Sequence, residues 1–228
     1  DTVVPAEYAT EQGGVLSITR AMAPGQHVGR VGEDIASGST VLRAGRRLRP
    51  QDAGVAASLG LPQLEVVRRP RVRLLVTGNE ARAPGEPKDP FEIYDANSVM
   101  LRGLLQRDGA VLESHVRLGD DPLAIKAAMS SPGADVVLVS GGSSVGTGDH
   151  APRILAELGE LAIHGVAMRP SSPAGMGRTC DTHVFLLPGN PVSCLCAYDF
   201  FAGRAIRRLA GQSADWPYRR TQAVVARK

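Results

Sequence analysis

The run Val136-Val137-Leu138-Val139-Ser140-Gly141-Gly142-Ser143-Ser144-Val145-Gly146-Thr147-Gly148-Asp149 joins aliphatic residues to a loop of glycines and small hydroxyls that an acid closes. An apolar run bounded by turn residues reads as a buried parallel strand. Glycines directly after such a strand let backbone amides approach an anion closely. Two further segments have the same character, Thr77-Gly78-Asn79-Glu80 after Val72–Val76, and Pro188-Gly189-Asn190-Pro191-Val192-Ser193 after Val184–Leu187. In an open parallel sheet, loops at strand carboxyl ends converge on one rim, where helix N-termini favour phosphate and other anions. The carboxylates Glu80, Asp121 and Asp149 on that rim would repel an anion unless a divalent cation bridged them. Magnesium, which takes a few carboxylates together with phosphate oxygens, suits that arrangement. The chemistry expected is metal-assisted and acts on a phosphate-bearing ligand.

Common nucleotide motifs do not fit. The loop lacks the Gly-Lys-Ser/Thr ending of a P-loop, and Ser143 stands at the middle glycine of a dinucleotide fingerprint. Gly142-Ser143-Ser144-Val145-Gly146 does match a nucleophile elbow with Ser144 as nucleophile. An elbow needs a sharp turn straight into a helix, and Gly146 and Gly148 delay any helix to about Asp149, so this hydrolase reading ranks last. His150 adjoins Asp149, whereas His115 and His164 lie in or beside strand-like runs and read as packed or exposed residues without chemistry. The five histidines have no zinc-type spacing. Glu80, Asp121 and Asp149 also have a plainer reading as helix caps or solvated loop acids, Asp121 before Pro122 above all.

Positioning these loops requires alternating strands and helices. Strands are predicted at 72–76, 111–118, 136–139 and 184–187, and helices at 97–107, 122–129, 151–158 and from Pro191 to about Leu209. That alternation predicts an α/β fold, a three-layer and mostly parallel sheet. Residues 1–70 read instead as a β-rich N-terminal appendage, with a strand at 13–18, a hairpin over Val41–Leu48 and one helix over Gln51–Leu59. A net charge of +3 from 26 basic and 23 acidic side chains, without a basic run, gives no nucleic-acid signature. No apolar run reaches the length of a membrane span and no signal peptide opens the chain. The cysteines Cys180, Cys194 and Cys196 form no disulfide framework, which fits a reduced, cytoplasmic protein. A first residue of Asp1 followed by strand-like Thr2-Val3-Val4-Pro5 suggests a fragment lacking both ends.

In their order along the chain, these motifs resemble those of the molybdopterin molybdenumtransferase family, the MoeA/gephyrin group. Thr77–Glu80 is similar to the family's Thr-Gly-Asp-Glu, Ile93-Tyr94-Asp95-Ala96-Asn97 to Ile-Tyr-Asp-x-Asn, and Asp120-Asp121-Pro122 to Asp-Asp-Pro. Ser140–Asp149 resembles Ser-Gly-Gly-Val-Ser-Val-Gly-x-x-Asp, and Leu187–Ser193 resembles Leu-Pro-Gly-Asn-Pro-Val-Ser. Asp1–Pro5 and Gly32-Glu33-Asp34-Ile35 match flanking segments. The resemblance implies part of a β-rich lobe at 1–25, a linker-domain segment at 26–70, a molybdopterin-binding α/β domain at 71–211 and the start of a C-terminal β-barrel at 212–228. It implies insertion of molybdenum from molybdate into adenylylated molybdopterin with release of AMP, by a homodimer using magnesium. An adenylyltransferase or a molybdoenzyme would be a further partner. Thr77, Gly78, Ser140, Gly141, Gly142, Ser143, Ser144, Gly146, Pro188, Gly189 and Asn190 would hold pterin and phosphates, with Arg169 and Ser172 at the oxyanion. Glu80, Asp121 and Asp149 would be catalytic, with Glu80 and Asp149 as metal ligands.

Three departures fall inside the implied site. Asn79 replaces an aspartate, and in Arg169-Pro170-Ser171-Ser172-Pro173 the family's two lysines become Arg169 and Ser172, with Gly175-Met176-Gly177 adding flexibility beside them. One lost charge-assisted hydrogen bond weakens anion binding by about 1.5–3 kcal/mol, although Arg178 could restore the charge. The alternative is therefore a molybdopterin-binding carrier or assembly protein without the transfer step. An adenylyltransferase fits less well, because dedicated ones lack the lobe that residues 1–70 resemble.

Overall fold

The computed structural model describes every residue except Ser144, Val145, Thr147, Val225, Arg227 and Lys228, and it divides into two compact units, Asp1–Val55 and Ala56–Lys228. In the first unit, strands β1 (Ala9–Gln12) and β2 (Val15–Ile18) form an antiparallel hairpin across Gly13-Gly14. Helix α1 (Pro50–Ser58) crosses the boundary between the units. The hairpin expected over Val41–Leu48 is absent; that segment is irregular, and both Val41 and Leu48 are exposed. Its apolar residues have no sheet to join, so alternation alone does not make a strand.

The second unit is an α/β domain with a central sheet in the order β6-β3-β7-β10-β9-β8. Strands β3 (Arg71–Thr77), β6 (Val111–Leu118), β7 (Val136–Ser140) and β10 (Thr182–Leu187) run parallel. Short strands β4 (Ala81–Arg82) and β5 (Ile93–Tyr94) pair with each other between β3 and helix α2 (Ala96–Arg107). Helices α3 (Pro122–Ser130) and α4 (Ala151–Leu158) follow β6 and β7. Successive residues of β3, β7 and β10 point to opposite faces, as the period of two requires. Leu74, Leu138, Phe185 and Leu187 pack with Leu101, Leu105, Tyr198 and Ile206 on one side, and Leu75, Val139 and Leu186 with Ile125, Met129 and Ile154 on the other. This is the expected three-layer, mostly parallel architecture.

Two strands add to the expected set. β8 (Glu160–His164) and β9 (Gly175–Thr179) extend the sheet antiparallel beyond β10. Gly175 and Gly177, read from sequence as a flexible edge, lie within β9. A Cβ on Gly177 would run into the Glu160 carbonyl, so β8 lies this close only because the residue is glycine. The last helical stretch also differs in detail. Helix α5 (Pro191–Ala197) widens into a π-helical turn at Tyr198–Ala202 before continuing as α6 (Gly203–Leu209).

Candidate functional site

Register builds the rim. Val76 and Leu187 both pair with Ser140 on the central strand, while Arg117 pairs with Val76. The strands therefore end in line, and the loops starting at Gly78, Gly119, Gly141 and Pro188 leave from one edge. The glycine loop is pinned where it departs. Gly141 N–H donates to the Leu187 carbonyl (3.1 Å), and Gly141 has φ of +92°. A Cβ there would strike the Thr77 carbonyl oxygen, so the loop crosses the end of β3 at backbone contact.

Asn97, in the first turn of α2, ties two of these loops together. Its Nδ2 donates to Ser140 Oγ (2.9 Å) and to the Gly189 carbonyl (2.8 Å). A carbonyl only accepts, so the amide orientation follows from the network. Asn97 Oδ1 and the nearby Thr77 Oγ1 are both buried without a hydrogen-bond partner. Buried polar atoms are rarely left unpaired, so these two are exceptions, and both lie at the roots of the rim loops. Beneath them Cys194 lies 3.9 Å from Ser140 Oγ; burial pushes its thiol up to about 12, which makes it packing and not a nucleophile.

The acids have separate tasks. Asp149 does not cap α4; that position belongs to His150, whose side chain makes no cap bond. Asp149 Oδ2 instead accepts from Gly146 N–H (2.8 Å), and Asp149 N–H donates to the Gly146 carbonyl (3.0 Å), which closes the loop on itself. Asp121 takes the plainer role as N-cap of α3, accepting from Leu123 N–H (2.9 Å). Glu80 is exposed, and its carboxylate curls over Gly78. Asn79 donates to Asp120 Oδ2 (2.8 Å) and accepts from Asp120 N–H (3.3 Å), linking the β3 and β6 loops. Asn190 caps α5, accepting from Val192 N–H (3.1 Å) and Ser193 N–H (3.4 Å).

Ser143 is buried, and its carbonyl lies 2.9 Å from His164 Nε2 at the end of β8, so His164 braces the loop from the far side. Ser171 Oγ donates to the Ser193 carbonyl (2.6 Å), and Ser172 accepts at its carbonyl from Val166 N–H (2.8 Å). The Arg169 and Ser172 side chains are exposed and make no hydrogen bond to the rim loops among the described residues. Ser144 lies outside the described residues, so the elbow serine is not located; α4 starts only at Ala151, well after β7 ends at Ser140. Among the described residues, no group of three or more His, Cys, Asp or Glu side chains is placed to hold a metal. From sequence, Asn97 within Ile93–Asn97 and Ser171 within Arg169–Pro173 carry no role of their own, and His164 reads as a residue without chemistry. Only the first carried a signal, as a polar residue just after a helix start.

Residues 73–208 match the family described as "Probable molybdopterin binding domain", and residues 1–60 match "MoeA N-terminal region (domain I and II)". The chain belongs to the MoeA family. Molybdopterin molybdenumtransferase 2 of Mycobacterium tuberculosis is 36% identical over 242 residues, covering 98% of this chain and 56% of the relative. The molybdopterin molybdenumtransferase of Haemophilus influenzae is 31% identical, covering 93% of this chain and 53% of that protein. The crystal structure of a molybdopterin biosynthesis MoeA protein from Pyrococcus horikosii superposes with a TM-score of 0.76 at 30% identity, over 93% of this chain and 54% of that one. The chain thus spans about half the length of the curated MoeA relatives it matches. No helix among the described residues is long and apolar enough to cross a membrane.

Proposed function

We propose that this MoeA-family chain binds molybdopterin and serves a full-length enzyme that inserts molybdenum from molybdate into adenylylated molybdopterin, releasing AMP. One observation carries the reading: Asn97 clamps Ser140 and Gly189 across two rim loops and leaves its Oδ1, with Thr77 Oγ1, unpartnered in a buried cradle. The glycine-loop residues Gly141, Gly142, Ser143 and Gly146, with Ser144, would hold phosphate oxygens by their amides and hydroxyls, while Gly78 and Pro188–Asn190 line the pterin side.

Two rim carboxylates have oxygens left over for magnesium. Asp149 commits one oxygen to Gly146, its other oxygen takes no hydrogen bond among the described residues, and Glu80 is exposed. Glu80 and Asp149 would hold the ion, which neutralises charge on phosphate oxygens when bound. Asp121, already committed as a helix cap, would orient water through its remaining oxygen. The protein would work in the cytoplasm as a homodimer, receiving its substrate from an adenylyltransferase and passing product to a molybdoenzyme.

The exposed Arg169 and Ser172 favour a second reading, a molybdopterin carrier without transfer, because Ser172 supplies no cation for molybdate. Molybdate-dependent AMP release from adenylylated molybdopterin, with magnesium and the full-length protein, separates the two. Release that requires molybdate supports the insertase. Molybdopterin binding without release supports the carrier, and absence of both overturns each reading.

A further inference from the structure

The chain between β8 and β9, residues 165–174, carries Arg169 and Ser172, whose exposed side chains do not reach the rim loops. Backbone bonds close this segment at its base. Gly165 N–H donates to the Ala174 carbonyl (2.9 Å), Val166 N–H to the Ser172 carbonyl (2.8 Å) and Ala174 N–H to the Ser171 carbonyl (3.0 Å). Two side chains then tie it to the rim. At its start His164 Nε2 meets the Ser143 carbonyl of the glycine loop (2.9 Å), and near its tip Ser171 Oγ donates to the Ser193 carbonyl in the first turn of α5 (2.6 Å). The segment therefore bridges the loops that follow β7 and β10.

Ser171 has φ of +97°, a conformation that strains a residue with a Cβ and that glycine adopts freely. Such strain persists only where the surroundings over-determine it, and it gathers at ligand clamps. What serine adds over glycine here is a hydroxymethyl group, and that group is spent on Ser193 in a residue only 3% exposed. Asn190 Oδ1 accepts from Ser193 N–H (3.4 Å) in the same turn. Ser193 is thus held by the rim loop through its N–H and by the 165–174 segment through its carbonyl. Arg169 stands two residues before Ser171 and Ser172 directly after it, so this one fastening fixes where both side chains start relative to Pro188–Ser193.

We propose that Ser171 is a positioning residue: its hydroxyl holds Arg169 and Ser172 at a set distance from the Pro188–Ser193 loop, so that an oxyanion bound by Arg169 stands against the phosphates at the rim. The inference deepens the molybdopterin reading and rests on it for the identity of the oxyanion.

Two variants of the full-length protein separate the hydroxyl from the backbone. Ser171→Gly removes the hydroxyl and relieves the strain, so its urea midpoint should equal or exceed the parent's. Ser171→Ala removes the hydroxyl and keeps the strain, so its midpoint should fall. In molybdate-dependent AMP release, both should raise the molybdate KM about tenfold and leave kcat within about twofold, the mark of binding lost equally in ground and transition states. A role in folding alone makes KM follow stability, so Ser171→Gly with the parent's KM would overturn the proposal. Hydrogen exchange needs no turnover and keeps the proposal apart from the insertase reading. In Ser171→Gly the Val166 and Ala174 amides should exchange about tenfold faster than in the parent, while those of β10 do not change. If the parent releases no AMP, the insertase reading falls, and faster exchange still supports Ser171 as the fastening. Unchanged exchange overturns the proposal whether or not the parent turns over.

Discussion

Single side chains decide how the rim holds its shape, and Asn97 has the largest share. Its one amide nitrogen serves Ser140 and Gly189, so any replacement that cannot donate twice releases both loops. Asn97→Asp is the sharper test, because a carboxylate would face a carbonyl that can only accept. We expect Asn97→Asp to cost about 1–3 kcal/mol in urea unfolding and to abolish molybdopterin binding, whereas a fully retained affinity would remove Asn97 from the cradle. Asn79 repays the same scrutiny. It stands where the family's aspartate would be, yet it donates to Asp120 at 2.8 Å, so an aspartate here would oppose a second carboxylate. That departure is matched locally. Gly141 is the least replaceable glycine of the loop, with φ of +92° and no room for a Cβ beside the Thr77 carbonyl. A left-handed backbone alone costs an ordinary residue about 1–2 kcal/mol, so Gly141→Ala should lose at least 2 kcal/mol in the same assay. Gly148→Ala, with nothing within 4 Å of the new methyl, should stay within about 0.5 kcal/mol of the parent protein.

At the scale of elements, the sheet is anchored at the edge opposite the site. Asp135, just before β7, accepts from Arg68 through both oxygens (2.6 and 2.7 Å) and from Arg71 N–H (2.7 Å), which fixes β3 beside β7. The Arg68 guanidinium holds this carboxyl down to about 2. A depressed carboxylate stabilises the fold above its unfolded value and loses that contribution as pH falls toward the folded one. Asp135→Asn should therefore unfold more readily than the parent protein at pH 7, with the gap closing between about pH 4 and pH 2. A gap that stays constant over this window, followed by urea midpoints at each pH, would exclude the ion pair as its source. The parallel strands and their helices were legible in the sequence because apolar runs and the Asp121 and Asn190 caps each carry a local signal. Strand β8 showed only as a strand-like run beside His164, and β9, antiparallel between β10 and β8, did not show at all, since Gly175 and Gly177 dilute its apolar pattern. The rim loops were recognisable from glycine and hydroxyl spacing. Asn97 and His164 were not, because their partners, Gly189 and Ser143, are distant in sequence and met only through strand register.

Across the whole molecule, buried residues are distributed unevenly. In the first unit Asp52 is the one buried residue among those described, held by Arg46 and Arg49, while Val15, Leu16 and Ile18 of β2 are exposed. Cohesion of the second unit extends past the sheet into a buried charge cluster at the far end of α2. Asp108 is fully buried; it accepts from Tyr198 Oη (3.0 Å) and from Arg107 (2.8 Å), and Arg207 approaches to 3.1 Å. Arg107 also donates to Asp199 (2.7 Å), which receives the Tyr218 hydroxyl (2.7 Å), so the cluster ties down the segment after α6. Trp216 completes the attachment edge-on to Phe200, with ring centroids 4.7 Å apart. Burying a cation beside its anion gains little net energy, but removing one partner leaves the other uncompensated, at about 3–5 kcal/mol. Arg207 is 4% exposed and has Asp108 as its one ion-pair partner among the described residues, so Asp108→Asn should cost that much. Arg107 keeps Asp199 and should hold its place. Pairing the change with Arg207→Met removes the stranded cation, so the double variant should recover most of the loss. Trp216 is the only tryptophan in the chain, so its fluorescence reports the tail directly. In Asp108→Asn its emission should shift to the red at denaturant concentrations where far-UV circular dichroism is still native, and in the double variant the two transitions should coincide again. Coincident transitions in the single variant would show that the aromatic contacts hold the tail without the charge cluster.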